Sequence, residues 1–139
     1  MGSIDTQREI AADPEDVFDA LADYAGTRQK LLPRHFSEYE AREGGDGKGT
    51  LMHWKLQATS GRVLDCLLDV DEPTDGQLVE KDRNSSMVTT WLVTPAGAGR
   101  ANVTVASTWQ DAGSVGGSFA GLLRMYDALL ANLAEHMEK

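Results

Sequence analysis

The sequence predicts an α+β fold in which a curved antiparallel sheet grips one long C-terminal helix. Residues 36–109 alternate between apolar and polar side chains with a period of two, and glycine-containing turns interrupt them. The C-terminal segment instead has a helical period. Its apolar stripe comprises Phe119, Leu122, Leu123, Tyr126, Leu129, Leu130, Leu133 and Met137. Because so many apolar side chains are costly to leave in water, the sheet must receive this helix.

A short strand and two helices are predicted ahead of the main run of strands. The strand covers residues 4–10. A helix follows it, because Asp13 can cap the helix, Pro14 suits its first position and acidic residues occupy its first turn. We expect this helix to end near Gly26. A second short helix or turn should then carry Leu31-Leu32 towards Pro33.

About six strands follow, separated by turns. Asp46-Gly47 and Ser60-Gly61 have the composition of hairpin turns, and residues 73–76 and 95–99 end later strands. Alternation is clearest in residues 62–72, where Leu64, Cys66, Leu68 and Val70 oppose Asp65, Asp69 and Asp71. One face of this strand should be buried and the other wet. With no linker or repeat, we expect residues 1–139 to form one domain.

Composition narrows the functional class. The chain is 41% hydrophobic and 25% charged, as in soluble globular proteins, and no apolar run reaches the roughly 20 residues of a membrane span. The first residues lack the pattern of a secretory signal, which favours a cytoplasmic location. A net charge of −9 without clustered Lys or Arg argues against nucleic acid as a partner. The sequence leaves both a monomer and a homodimer open.

Three motifs are interpreted as structural. The lone Cys66 lies on an apolar strand face, which indicates a buried, inert thiol. The loop at residues 44–50 joins two strands and opens no helix, so it is a turn and not a phosphate-binding loop. His35, His53 and His136 lack the spacing of metal ligands. The sequence therefore predicts no metal and no cofactor.

Aromatic side chains are the most informative set. All three tryptophans and two tyrosines fall on faces predicted to point inward, with Thr89, Ser107 and Cys66 among them. Such a mixture can line an amphipathic pocket, and plain core packing explains it equally well. The glycine-rich residues 113–121 ahead of the long helix are either a flexible connector or a gate for such a pocket.

Several ordered segments resemble the START/Bet v 1-like superfamily, and most of all its bacterial polyketide cyclase/dehydrase group. They are residues 10–23, the Gly-Lys-Gly-Thr segment that leads into Met52 and Trp54, the hairpin at 95–100, and the segments 121–124 and 131–133. The resemblance implies a helix-grip fold, with a seven-stranded antiparallel sheet around the C-terminal helix and a cavity between them.

Members of this superfamily bind lipids, sterols, polyketides or other hydrophobic ligands, and some catalyse aromatisation or cyclisation. The positions that match the cavity side of the family pattern are Tyr39, Met52, Trp54, Cys66, Trp91, Ser107, Phe119, Leu122 and Tyr126. Many relatives carry a tryptophan within the stretch that corresponds to residues 25–32. This chain has none there, so we expect its cavity mouth to differ.

Three functional hypotheses follow. In the first, the protein binds or carries a hydrophobic or amphipathic small molecule in a cavity of at least about 300 Å³, oriented by Tyr126, Ser107 or a tryptophan N–H. In the second, it is a polyketide cyclase or dehydrase in which Tyr126 or His53 transfers a proton. In the third, it is a protein-interaction or toxin-like regulatory module, and the acidic strand face carrying Asp65 meets a basic partner.

Overall fold

The computed structural model describes residues 2–59, 62–110 and 119–138, without the side chains of 58, 59, 62, 119 and 120. The glycine-rich approach to the last helix, for which we predicted a connector or gate, therefore lies largely outside the described residues. The described elements are β1 (Gly2–Ile10), α1 (Pro14–Ala22), α2 (Thr27–Lys30), β2 (Phe36–Glu43), β3 (Leu51–Thr59), β4 (Arg62–Asp71), β5 (Gln77–Asp82), β6 (Val88–Pro95), β7 (Ala101–Trp109) and α3 (Phe119–Met137).

The seven strands form one antiparallel sheet in the order β1-β7-β6-β5-β4-β3-β2. Strands β2 to β7 follow one another as a meander, and β1 closes on β7 from Gly2 opposite Trp109 to Ile10 opposite Ala101. Helix α3 lies against β1 and β3. Its buried side chains are Leu122, Met125, Tyr126, Leu129, Leu130, Leu133 and Ala134. The predicted helix-grip fold is confirmed.

The two short helices depart from the prediction in detail. Asp13 precedes α1 without a side-chain capping bond, and its carbonyl oxygen instead accepts the N–H of Val17 at 3.0 Å. At the start of α2, Oδ2 of Asp23 accepts the Thr27 N–H at 2.9 Å. This bond lowers the pKa of Asp23. Helix α2 ends at Lys30 and Leu31 lies in the turn after it, so of the two predicted forms of this segment, helix or turn, Leu31 takes the turn.

Strand β2 is an irregular edge of the sheet. It has a single neighbour, β3, and its pairing register shifts twice along its length. The first shift, between Ser37 and Glu40, contains Glu38, whose φ of 51° is uncommon for a residue with a side chain. The loop at residues 44–50 connects β2 to β3 as a turn, as its composition predicts. This edge is therefore held less firmly than the centre of the sheet.

Among the described residues, no helix combines the length and apolar character needed to cross a lipid bilayer.

Candidate ligand-binding site

A small cavity lies between the sheet and α3. Its volume is about 10 Å³, roughly the space of one water molecule. The lining residues are Arg28, Phe36, Trp54, Leu56, Leu68, Glu80, Met87, Thr89, Trp91, Met125, Tyr126 and Leu129. The expectation of at least about 300 Å³ is therefore wrong for this structure, because aromatic and methionine side chains fill the space.

Five of the nine predicted binding residues meet in or beside this cavity. Trp54, Trp91 and Tyr126 line it. Tyr39 stacks on Trp54, with ring centroids 5.6 Å apart and planes 4° from parallel. The hydroxyl of Ser107 lies 2.6 Å from that of Tyr126.

The other four are placed differently. Met52, Cys66 and Leu122 are fully buried but do not line the cavity. Burial raises the pKa of the Cys66 thiol, as expected for an inert cysteine. The side chain of Phe119 lies outside the described residues. On α3 the cavity is lined by Met125, Tyr126 and Leu129, and not by Leu122.

His53 lies on the opposite face of β3 from the cavity. Its neighbour Trp54 points inward, and successive strand residues point to opposite faces. Its Nε2 is 2.5 Å from Oδ1 of the exposed Asp65. His53 is therefore remote from a ligand held inside.

The acidic face of β4 is partly paired within the molecule. Besides the contact of Asp65 with His53, both carboxylate oxygens of Asp69 accept from Arg83 at 2.7 Å. Two of the three aspartates on this face, Asp65 and Asp69, thus already contact basic side chains of the same molecule. Across the described part of the chain, no three His, Cys, Asp or Glu side chains are grouped as metal ligands would be.

The sequence analysis missed a buried ion pair at the cavity wall. Arg28 Nη2 donates to Oε2 of Glu80 at 2.9 Å, and both side chains are only 3% exposed. Arg28 Nη1 donates to the Leu21 carbonyl at 2.7 Å, and the Tyr24 hydroxyl donates to Glu80 Oε2 at 2.5 Å. The guanidinium carbon lies 4.7 Å from the centre of the Tyr24 ring and 4.6 Å from that of Trp91. Both distances are within the range of a cation–π contact.

The charges of this cluster cancel. Burial opposes the charge of Arg28, but the Glu80 carboxylate outweighs that effect, and the pKa of Arg28 is raised. Burial, followed by the nearby Glu80 charge, raises the pKa of Tyr24 well above its usual value, so Tyr24 stays a neutral donor. A buried pair of this kind adds little net stability compared with apolar side chains of similar size. Its position beside a cavity therefore favours a role in recognition.

A signal for both charged residues was present in the sequence. Glu80 shares the inward side of β5 with Leu78, and a charged residue at an inward strand position requires a partner. Arg28 lies in the stretch 25–32, which lacks the tryptophan that the family resemblance led us to expect in many relatives. The pairing itself could not be read, because 52 residues separate the two in the chain.

Three buried hydroxyl groups form a closed triangle near Trp91. Thr89 Oγ1 is 2.7 Å from Ser107 Oγ and 3.1 Å from Tyr126 Oη, and Ser107 Oγ is 2.6 Å from Tyr126 Oη. Each hydroxyl can donate once and accept once within the triangle. Burial raises the pKa of Tyr126 to about 12, although bonds from Ser107 and Thr89 oppose the shift. Tyr126 is thus a phenol and a proton donor at neutral pH.

Trp91 connects the two polar clusters. Its ring meets that of Tyr126 edge to face, with centroids 6.0 Å apart and planes at 83°. The side chain is 1% exposed, yet no atom of the described residues accepts from its indole Nε1–H. A buried donor without a partner costs about 1–3 kcal/mol. Because Trp91 lines the cavity, this donor is a candidate contact for a ligand.

A seven-stranded antiparallel sheet that grips a C-terminal helix around an aromatic interior defines the helix-grip class of START and Bet v 1-like proteins. Residues 1–138 match the family described as polyketide cyclase / dehydrase and lipid transport. The chain belongs to this family, as the sequence resemblance predicted. No curated protein sequence matches the chain.

Solved structures share the fold over the whole chain. The KanY protein, solved by NMR, is 42% identical, covers 100% of both chains and has a TM-score of 0.87. The Zhui aromatase/cyclase from Streptomyces sp. R1128 is 17% identical over 99% of this chain and 93% of its own, with a TM-score of 0.77. Major latex-like protein 151 from Panax ginseng is 14% identical over 99% and 98%, with a TM-score of 0.78. At such low identities the last two support the fold alone.

Proposed function

We propose that this protein binds a hydrophobic or amphipathic small molecule between the sheet and α3. The observation that carries the proposal is the composition of the cavity wall. Apolar and aromatic side chains surround a compensated ion pair and one buried donor without a partner. Ligand sites in proteins have this mixture of an apolar lining and a few convergent polar groups. The family description, which includes lipid transport, agrees with it.

Binding requires the site to open, because the present cavity holds no more than a water-sized group. The wall formed by Phe36 and Trp54 is the best suited to move, since Phe36 belongs to the irregular edge strand β2. Met87 and Met125 complete this region, and methionine side chains repack easily around ligands of different shape. A ligand would then select an open form of the same fold.

Native mass spectrometry of the purified protein tests the proposal directly. We expect a co-purifying hydrophobic compound that Leu129→Phe removes, because the larger ring overfills the cavity. Leu92→Phe is the matched control, since Leu92 is 38% exposed on β6. Thermal unfolding establishes that both variants fold. Equal occupancy in the two folded variants, or no binding of any lipid or aromatic polyketide by the wild type, would contradict the proposal.

A second candidate function is cyclisation or dehydration of a polyketide-like substrate. Tyr126 favours it, because its neutral phenol lines the cavity and two hydroxyls can return a proton to it. In this proposal Tyr126 is the general acid and His53 has no part, given its position on the other face of β3. Product analysis with a poly-β-ketone substrate should show at least about a hundredfold loss of turnover in Tyr126→Phe.

Tyr39→Phe is the control for that experiment. The Tyr39 hydroxyl donates to the Tyr24 carbonyl at 2.8 Å, and the stacking on Trp54 survives its removal. Unchanged turnover in a folded Tyr126→Phe variant would remove Tyr126 from the mechanism.

A further inference from the structure

The buried arginine at this site is not an open receptor for anions. The Arg28 guanidinium carbon lies over two aromatic rings, 4.7 Å from the centre of Tyr24 and 4.6 Å from that of Trp91. Two of its nitrogens already donate, to the Leu21 carbonyl and to Glu80. The carboxylate of Glu80 stands at the same cavity wall. An anionic ligand that approached Arg28 would therefore also approach a negative charge.

We propose that the interior selects an uncharged ligand whose carbonyl oxygen accepts the indole N–H of Trp91, and that it rejects carboxylates. The inference rests on the proposed binding function and deepens it by naming the ligand's charge and its polar group. The protein should therefore bind neutral ketones and related carbonyl compounds in preference to fatty acids, although both classes of ligand are hydrophobic.

The exclusion of carboxylates follows from desolvation. A carboxylate that enters an apolar interior loses its water shell and needs a charge partner there to compensate. Arg28 and Glu80 already neutralise each other at 2.9 Å and offer no excess positive charge. A neutral carbonyl loses far less hydration and needs only one donor.

Trp91 supplies that donor. Its N–H is buried without an acceptor among the described residues, and its ring is held in place by Arg28 on one face and by contact with Tyr126. The nearby hydroxyls of Thr89, Ser107 and Tyr126 already bond to one another. A fixed, uncommitted donor in an apolar cavity is the kind of group that orients a ligand.

Three naphthalenes of nearly equal shape test the inference. They carry an acetyl, an isopropenyl or a carboxylate group at the same ring position. Affinities are measured by calorimetry at neutral pH, and the Trp91 indole resonance is followed in ¹⁵N-labelled protein. We expect the acetyl compound to bind about fivefold more tightly than the isopropenyl compound, the worth of one net hydrogen bond. The carboxylate should bind at least about tenfold more weakly than the acetyl compound.

Variants at two cavity tryptophans assign the effect. Trp91→Phe should bring the acetyl-to-isopropenyl ratio to about one, whereas Trp54→Phe should change all affinities alike and keep the ratio. If Trp91→Phe fails to fold, the indole resonance of Trp91 in the wild-type protein tests whether the ligand accepts this N–H. It should shift with the acetyl compound and much less with the isopropenyl compound.

The outcomes separate this inference from the function on which it rests. Equal affinity of the acetyl and isopropenyl compounds, or tightest binding by the carboxylate, overturns the inference while binding itself stands. A hydrophobic compound that co-purifies although no naphthalene ketone binds also overturns it. A protein that binds none of the three and co-purifies with nothing contradicts the proposed function, and the inference falls with it.

Discussion

Replacing Glu80 with alanine is expected to lower the free energy of unfolding by about 3–5 kcal/mol. Glu80 accepts bonds from Arg28 Nη2 at 2.9 Å and from the Tyr24 hydroxyl at 2.5 Å, and its side chain is 3% exposed. Its removal leaves a buried guanidinium without its counter-charge and a buried phenol without an acceptor. The magnitude follows from these two losses, because each unpartnered donor alone costs about 1–3 kcal/mol.

The double variant Arg28→Met with Glu80→Leu distinguishes two quantities. One is the loss of unfolding free energy when a single partner is removed, and the other is the net contribution of the intact pair to that free energy. Removing both charges replaces an ion pair by apolar side chains, which is often neutral or stabilising by about 1–4 kcal/mol. We therefore expect the double variant to be much more stable than Glu80→Ala. Adding Tyr24→Phe should help further, because it removes the hydroxyl that Glu80 no longer satisfies.

Urea denaturation followed by tryptophan fluorescence measures these differences, with far-ultraviolet circular dichroism as a second probe. Asp69→Ala is the control, since the Asp69–Arg83 pair is about half exposed at both ends and should contribute only about 0–1 kcal/mol. A loss below about 1 kcal/mol in Glu80→Ala, no larger than in Asp69→Ala, would refute the account of a buried pair.

Three further predictions concern single residues. The pKa of Tyr126 is about 12 in the folded chain against an ordinary 10.0, so the free energy of unfolding should fall as pH rises from about 10 to about 12. Tyr126→Phe should make that decline less steep in urea titrations, and Tyr24 and Cys66, whose pKa values burial also raises, should account for the part that is left. Cys66, whose thiol pKa burial raises, should react with iodoacetamide only as the chain unfolds in urea; mass spectrometry showing rapid labelling of the native protein would contradict this. Gly76→Ala should lower the urea midpoint more than Gly97→Ala. Both glycines have positive φ, but only at Gly76 would a Cβ lie 2.7 Å from the Val93 carbonyl oxygen. Equal effects of the two substitutions would argue against this clash.

The sequence was sufficient for the fold because the evidence for it is periodic and local. The alternation in β4 and the apolar stripe of α3 each identify a buried face without knowledge of the partner. The sequence did not show which residues of α3 face the cavity, because that depends on the rotation of the helix about its own axis. Leu122 and Leu129 share the stripe, and only the packed structure shows that Leu129 reaches the cavity. The apolar stripe of α3 is wide, and its pattern does not distinguish residues that pack against the core from residues that line a cavity.

The chemistry of the site depended on contacts between distant segments. Nothing near Arg28 in the chain indicates Glu80 as its partner, and no periodic pattern links the two. The cavity volume was equally out of reach, since it is the small difference between the space enclosed by the sheet and the volume of the side chains that fill it. The irregularity at Glu38 in β2 likewise escaped prediction, because its residues alternate as an ordinary strand would.

The pairing of β1 with β7 limits how much of the sheet can form while the chain is still being synthesised. Strand β1 finds its hydrogen-bonding partner only after residues 101–109 have been made, because Gly2 pairs opposite Trp109 and Ile10 opposite Ala101. Until then the last strand that has formed is an unpaired edge of the sheet. The apolar face of the sheet stays exposed until α3 covers it. Pairing across so long a span of chain is slow. Completion of the sheet is therefore expected to be a late step of folding, because β1 can join it only once β7 is in place.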